Sequence, residues 1–299
     1  MTTPSHARGP APRRRGLRLP RKAVAVGVTC VVAVLAVFTV VVAPRLAVDR
    51  TVQGQIFASQ RVACTGVATP TVVLSNGLGA DNSDNWDEVV SEVSRTTRVC
   101  VVDRPGSDGT PNRPAGDDSP QDDADLLRAS LTEAGVPGPY IYAGWSYGGS
   151  VATLAALDDR SRAGLVLIES IVADEYRTVD VGGWEEDDVP LEMAPAETTI
   201  DSLRPGTLGT APLVSLTAGI TFLDEADQRI VDIGQAQLTN LSSNHLQCES
   251  IGNTHALPVE AHAQVATALI AAVDSFRAGT PVSKAAPDLT REGARCPAG

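Results

Sequence analysis

Tyr140-Ile141-Tyr142-Ala143-Gly144-Trp145-Ser146-Tyr147-Gly148-Gly149 is an apolar run that ends in Gly-Trp-Ser-Tyr-Gly. The pattern predicts a strand that turns sharply into a helix, with Ser146 at the tip. A serine held on such a turn has strained backbone angles and no room for large neighbours. Gly144 and Gly148, two before it and two after, let the strand and the helix pack closely. In a glycine-rich chain the five-residue pattern also arises by chance. The apolar run before it and the small-residue segment from Gly148 to Leu157 after it are the context that lifts it above chance.

Outward from this turn, short apolar runs alternate with amphipathic segments. Between Val48 and Gly66 the pattern suits one or two short strands. Thr71-Val72-Val73-Leu74-Ser75 then reads as a strand buried on both faces, closed by the glycine-rich turn Asn76-Gly77-Leu78-Gly79. Trp86, Val89, Val90 and Val93 have helical spacing, with Ser83 or Asp84 available as the cap. Arg98 to Val102 repeats the buried-strand pattern and is followed by the turn residues Asp103-Arg104-Pro105-Gly106. Ser119-Pro120 then opens a helix with Ala124, Leu127, Leu131 and Ala134 along one face.

After the serine turn come a strand over Ala163 to Ile168 ending in Glu169-Ser170, an acidic turn-rich stretch over 171–211, and a strand over Pro212 to Gly219. A helix near Ala226 to Leu238, a strand near Leu246 to Ile251 and a final helix bearing Val265, Leu269, Val273 and Phe276 complete the pattern. The fold class is therefore α/β: a mostly parallel central sheet with helices on both faces, and 171–211 as a short lid inserted over a site. The catalytic domain is expected over 50–278, with an irregular proline-rich tail over 279–299.

The 299 residues carry 24 Lys+Arg against 36 Asp+Glu, for a net charge of −12. Residues 1–22 hold seven of those basic side chains and no acid, and 23–43 run apolar without a charge. This reads as a basic cytoplasmic tail and a transmembrane anchor; secretion after signal cleavage is the alternative, disfavoured because Arg45 sits where a small residue is wanted. The exported part is left at about −19, which argues against nucleic acid as a partner. Cys30 lies within the apolar run, and four cysteines lie outside it: Cys64, Cys100, Cys248 and Cys296. In an oxidising compartment an even number suggests two disulfides, and three pairings are possible. Cys64 with Cys100 is preferred because the two flank adjacent strands, and Cys248 with Cys296 because it ties down the tail; four free thiols are the alternative.

A serine hydroxyl needs a histidine to take its proton and an acid to orient that histidine. His6 lies in the basic tail, His262 in the final helix and His245 before the last strand, where surface or loop roles suffice. His255 follows Gly252-Asn253-Thr254 in a turn after a strand and precedes a helix near Pro258, which makes it the candidate general base. Two acids compete. Glu169 ends a buried run, where a carboxylate without a partner is costly, and it is favoured; Asp224 follows the seventh strand and also suits a helix cap. The developing oxyanion needs backbone donors, and the N–H groups of Leu78 and Tyr147 are the natural pair.

The order strand, Asn-Gly-Leu-Gly, strand, Asp-Arg-Pro-Gly, helix, Gly-Trp-Ser-Tyr-Gly-Gly, strand with Leu-Val-Leu-Ile-Glu-Ser, lid, strand and a late Thr-His before a helix resembles the α/β-hydrolase superfamily over about residues 50 to 278. The resemblance implies a serine hydrolase with a lid between the sixth and seventh strands. The chain also resembles a group of exported relatives with a cysteine before the third strand and another in the fourth, and this resemblance supports the Cys64–Cys100 pairing. Two departures stand out: Asn76, where His-Gly is commoner, and the acid, which is usually an aspartate after the seventh strand. The expected activity is hydrolysis of small-molecule carboxylic esters through an acyl-enzyme. Amidase, peptidase or cofactor-free haloperoxidase chemistry is the alternative, and an inactive hydrolase-fold binding protein is the reading from another class. No metal or organic cofactor is indicated, since the sequence has no Cys/His cluster at ligand spacing and no phosphate-cradling glycine loop.

Overall fold

The computed structural model describes residues 54–78, 83–107, 109–113, 119–170, 204–221 and 225–297. The apolar run 23–43, most of the expected lid and Asp224 lie outside them. Among the described residues no helix is long and apolar enough to cross a membrane.

The elements follow the predicted alternation. They are β1 (Gln55–Phe57), β2 (Gln60–Thr65), β3 (Thr71–Ser75), α1 (Asp87–Val93), β4 (Val99–Asp103), α2 (Pro120–Glu133), β5 (Tyr140–Trp145) and α3 (Tyr147–Asp158), then β6 (Gly164–Ile168), β7 (Leu213–Ala218), α4 (Glu225–Thr239), β8 (His245–Ser250), α5 (Leu257–Glu260), α6 (His262–Ala278), α7 (Ala286–Arg291) and β9 (Ala294–Arg295). The described strands form one sheet in the order β1-β2-β4-β3-β5-β6-β7-β8-β9. Neighbours from β4 to β8 are parallel, while β2 on β4 and β9 on β8 are antiparallel.

Alternate strand residues feed two cores, as a sheet covered on both faces requires. Val72, Leu74, Ile141, Ala143, Val166 and Ile168 meet α1 and α6 on one face. Val73, Cys100, Tyr142, Leu165, Leu167 and Leu213 meet α2 and α3 on the other. Helix α3 is buried from Tyr147 to Ala156, along most of its length.

The tightest packing lies where α3 leaves β5. A Cβ at Gly148 would overlap the carbonyl oxygens of Ser75 and Asn76, one at Gly144 would overlap the Gly148 carbonyl, and one at Gly149 would strike the Ser170 side chain. Only glycine lets the helix rest on β3, β5 and the end of β6 at this distance.

Helix α2 starts as predicted, with Ser119 and Asp122 forming a reciprocal capping box ahead of Pro120. Helix α1 does not use Ser83 or Asp84 as its cap. A 3-10 turn over Ser83–Trp86 precedes it and its N-cap is Trp86, a fully buried side chain whose indole N–H donates to Asn76 Oδ1. Anchoring of the indole replaces the cap. Phe276, expected on the inner face of α6, is exposed; the segment after the helix folds onto Ser275 instead, whose hydroxyl donates to the Thr280 carbonyl at 2.5 Å.

The expectation of an irregular tail over 279–299 is corrected for the residues described there. A 3-10 turn (Val282–Ala285), α7 and β9 follow one another, with Val282 and Leu289 buried, and the domain extends past 278 to include them. Pro281 and Pro287 start these short helices rather than break order. Residues 204–211, assigned to the lid, belong partly to the body: Leu208 is buried and Gly209 bridges to Ser242.

Both preferred disulfides are formed, Cys64–Cys100 between β2 and β4 and Cys248–Cys296 between β8 and the residue after β9. Cys64 and Cys100 are directly opposed in the β2–β4 ladder. Closing that 36-residue separation is worth about 4 kcal/mol in the chain-entropy account, so Cys64→Ser/Cys100→Ser should lower unfolding free energy by about that amount in a denaturant titration. Gly148→Ala should cost about 1–3 kcal/mol by overpacking, read as a lower thermal midpoint, whereas an alanine at the exposed helix residue Asp274 should change it little.

Candidate active site

In a parallel sheet, the crevice at the carboxyl ends of the strands opens where the strand order reverses. Here the chain steps from β3 outward to β4 and then returns to β5 on the other side, so the reversal lies between β3 and β5. Ser75 pairs with Gly144 in that ladder, which brings Asn76-Gly77-Leu78 beside Trp145-Ser146. The Cα of Gly77 faces the serine: a Cβ there would sit 3.4 Å from the Ser146 Cβ and 3.2 Å from the Trp145 ring.

Ser146 has φ 55° and ψ −127°, a left-handed conformation that a residue with a side chain adopts only when its surroundings impose it. Those surroundings are explicit. The Ser146 N–H donates to the Ile168 carbonyl at 3.1 Å, and the Ser146 carbonyl accepts from the Gly149 N–H at 2.9 Å. The predicted sharp turn is present, with Ser146 at its tip and the Tyr147 N–H at the first position of α3.

Glu169 directly follows β6 and has φ 40°. Its N–H donates to the Leu216 carbonyl at 2.8 Å, and its carboxylate accepts from the Ala218 N–H at the end of β7. The side chain thus reaches across to the end of the seventh strand. Its other oxygen lies 4.0 Å from His255 Nδ1, with the carboxylate mostly buried and the imidazole about half exposed.

His255 sits on a loop held at several points. The Ile220 N–H donates to the Asn253 carbonyl at 2.9 Å, and Thr254 donates through N–H and hydroxyl to Glu260 at 2.6 and 2.8 Å. Trp145 ties this loop to the serine turn. Its indole N–H donates to the His255 carbonyl at 2.7 Å, and the two rings stand 5.6 Å apart, tilted. Ser146, Glu169 and His255 are therefore brought to one end of the sheet. His245 points elsewhere, its Nδ1 2.7 Å from the Ser242 carbonyl, and Asp224 is not among the described residues.

The Asn76 side chain faces away from the serine, into the fold. Its amide donates to Asp103 Oδ1 at 2.9 Å and its oxygen accepts from Trp86, while Asp103 also takes Arg61 at 2.7 Å. This explains why an asparagine serves at a position where histidine is commoner: only its backbone borders the site.

Two further residues border the site that the sequence reading took as turn and helix positions only. Arg104 donates to the carbonyls of Asn76, at 2.5 Å, and Gly77, and its guanidinium lies 4.8 Å from the centre of the Tyr147 ring. Asp123, fully buried in the first turn of α2, accepts from the Tyr147 hydroxyl at 2.7 Å and from Arg113 at 2.7 Å, and lies 3.6 Å from Arg104 Nε. Burial raises the Asp123 carboxyl above its ordinary value, opposed by the charges of Arg104 and Arg113 and by hydrogen bonds from Tyr147 and Arg113. Burial, together with the Asp123 charge, raises the Tyr147 phenol, so it stays a proton donor. An Asp-Arg-Pro-Gly run after a strand marks a turn; the partner of Arg104, Asp123 in the next helix, leaves no local trace.

The sequence matches the alpha/beta hydrolase family over residues 72–292. Over 106 residues, 35% of this chain, it is 34% identical to the pimeloyl-[acyl-carrier protein] methyl ester esterase of Edwardsiella ictaluri, and the match spans 38% of that relative's length. In fold it is similar to a membrane phospholipase A described as a bacterial virulence factor, with a TM-score of 0.52, 18% identity, and 86% of this chain and 99% of that chain covered. It is also similar to a thermophilic esterase from Thermogutta terrifontis, with a TM-score of 0.52, 18% identity, and 73% and 93% covered. At such identities the likeness concerns architecture alone. The family match takes in the serine turn, the Glu169 position and the His255 loop together, and the chain belongs to the alpha/beta hydrolase family and is a hydrolase.

Proposed function

We propose that the chain hydrolyses carboxylic esters of small molecules through a covalent acyl-enzyme, with Ser146 as nucleophile, His255 as general base and Glu169 as the acid behind it. The observation that carries this reading is the strained serine turn bound by Trp145 to the His255 loop, with the Glu169 carboxylate facing His255 Nδ1 at 4.0 Å. That separation is longer than a hydrogen bond, so substrate binding has to bring the half-exposed imidazole toward Glu169. The ester reading is also supported by the relative of 34% identity, named a methyl ester esterase.

The Ser146 oxygen attacks the ester carbonyl carbon as His255 takes its proton, and negative charge moves onto the carbonyl oxygen. The N–H groups of Leu78 and Tyr147 receive that oxyanion. Collapse expels the alkoxide with the proton held by His255, giving an alcohol and an acylated Ser146. Water, deprotonated by His255, then repeats the attack, and collapse releases the carboxylic acid as His255 returns the proton to the Ser146 oxygen. Glu169 holds the Nδ1–H tautomer and offsets the charge of the imidazolium. A carboxylate at the end of the sixth strand takes the role usually given to the seventh-strand loop because it spans the gap to Ala218.

The N-terminal apolar run is proposed as a retained anchor that leaves this domain outside the cytoplasm, a location in keeping with two disulfides. If so, alkaline carbonate should leave the full chain in the membrane pellet, and recovery in the supernatant would sink the anchor.

Ser146→Ala should abolish labelling by a fluorophosphonate and lower kcat on p-nitrophenyl acetate by about 10⁴-fold or more. Glu169→Gln should lower kcat by about 10³–10⁴-fold while Asp224→Asn stays within a few-fold. The reverse ranking would move the acid to Asp224.

A further inference from the structure

We infer that Arg104 and Asp123 are positioning residues that hold both backbone donors of the oxyanion hole, one through the carbonyls of Asn76 and Gly77 and the other through the Tyr147 side chain. The inference rests on the proposed serine mechanism and deepens it.

The first arm is a consequence of peptide planarity. The Gly77 carbonyl and the Leu78 N–H belong to one trans peptide and point in opposite directions. Whatever holds that carbonyl aims that N–H. Arg104 holds it, and holds the preceding Asn76 carbonyl with another nitrogen of the same guanidinium. The planar fork therefore fixes two successive peptide planes of the turn that adjoins Ser146. Both carbonyls would otherwise be buried acceptors in a turn whose backbone is also pressed by Gly148.

The second arm runs through Tyr147, whose N–H is the other donor. Its ring is buried beneath the Arg104 guanidinium and its hydroxyl is bound to Asp123, so the first residue of α3 cannot rotate about its own backbone. Asp123 is the common point: fully buried, it binds Tyr147 and Arg113 and pairs with Arg104. Displacing Arg104 or Asp123 therefore disturbs two donors whose mutual spacing is set by where the oxyanion forms. The side chains of Arg104, Asp123 and Tyr147 are all buried and their polar atoms are bound within the fold, so ground-state substrate binding is not their task.

The test compares wild type, Arg104→Gln, Arg104→Ala, Asp123→Asn and the pair variant Arg104→Gln/Asp123→Asn, which removes both buried charges at once. Steady-state kinetics on p-nitrophenyl acetate are read with inhibition by an alkyl boronic acid, a mimic of the tetrahedral intermediate. Arg104→Gln should lower kcat about 10²-fold with KM within about twofold, and weaken the boronic acid by a similar factor. Millimolar guanidinium chloride should restore part of kcat to Arg104→Ala and none to Ser146→Ala. A folded Arg104→Gln with wild-type kcat overturns the proposal. So does a loss carried by KM, or a variant set that fails to fold or ignores guanidinium, since each assigns the network to the fold alone. A wild type that hydrolyses no ester and takes no fluorophosphonate label overturns the serine mechanism itself and the proposal with it.

Discussion

The absence of side chains at Gly144, Gly148 and Gly149 sets the geometry on which the rest depends. Helix α3 lies against the carbonyls of Ser75 and Asn76 at a distance that no Cβ permits. The backbone turn after β3 and the serine turn after β5 are consequently in hard contact, and the separation between Ser146 and Gly77 is a property of main chain. Repulsion between close-packed backbones is steep, so this spacing changes little with side-chain motion. The left-handed Ser146 is sustained by the same contact, together with its N–H bond to Ile168.

Polar groups are distributed in accordance with that rigidity. Behind the turn after β3, Arg61, Asp103, Asn76 and Trp86 form one chain of hydrogen bonds, and Arg104, Asp123, Arg113 and Tyr147 form another. Each carboxylate is buried and each faces a guanidinium, which is the condition under which a buried charge is tolerated. An acidic chain thus keeps several of its arginines next to the proposed reaction centre, where they bind carbonyl and carboxylate oxygens of the fold itself.

Much of this was legible in the sequence because its signals are local. Val72-Val73-Leu74 and Leu165-Val166-Leu167 are strands buried on both faces, and such strands announce themselves as continuous apolar runs. Ser119-Pro120 marks a helix start in the same way, and Glu169 stands out as a carboxylate ending a buried strand, a costly position that its bond to Ala218 offsets. The rest was illegible because it is non-local. Trp86 opens α1 only because Asn76 waits for its indole, and Arg104 and Asp123 meet across separate elements. Pro281 and Pro287 look like punctuation in isolation, yet the apolar surface that Val282 and Leu289 cover turns them into helix starts.

The two disulfides occupy opposite margins of the sheet, one joining β2 to β4 and the other fastening the chain beyond β9 to β8. Among the described strands, only β1, of three residues, and β9, of two, stand at the two ends of the sheet. Short terminal strands offer little ladder to a passing chain, and the covalent clips hold β2 against β4 and the chain after β9 against β8. Loss of the second clip would free β9 and leave the six residues of β8 as an open edge, so this margin of the domain guards against association between molecules as much as against unfolding of one.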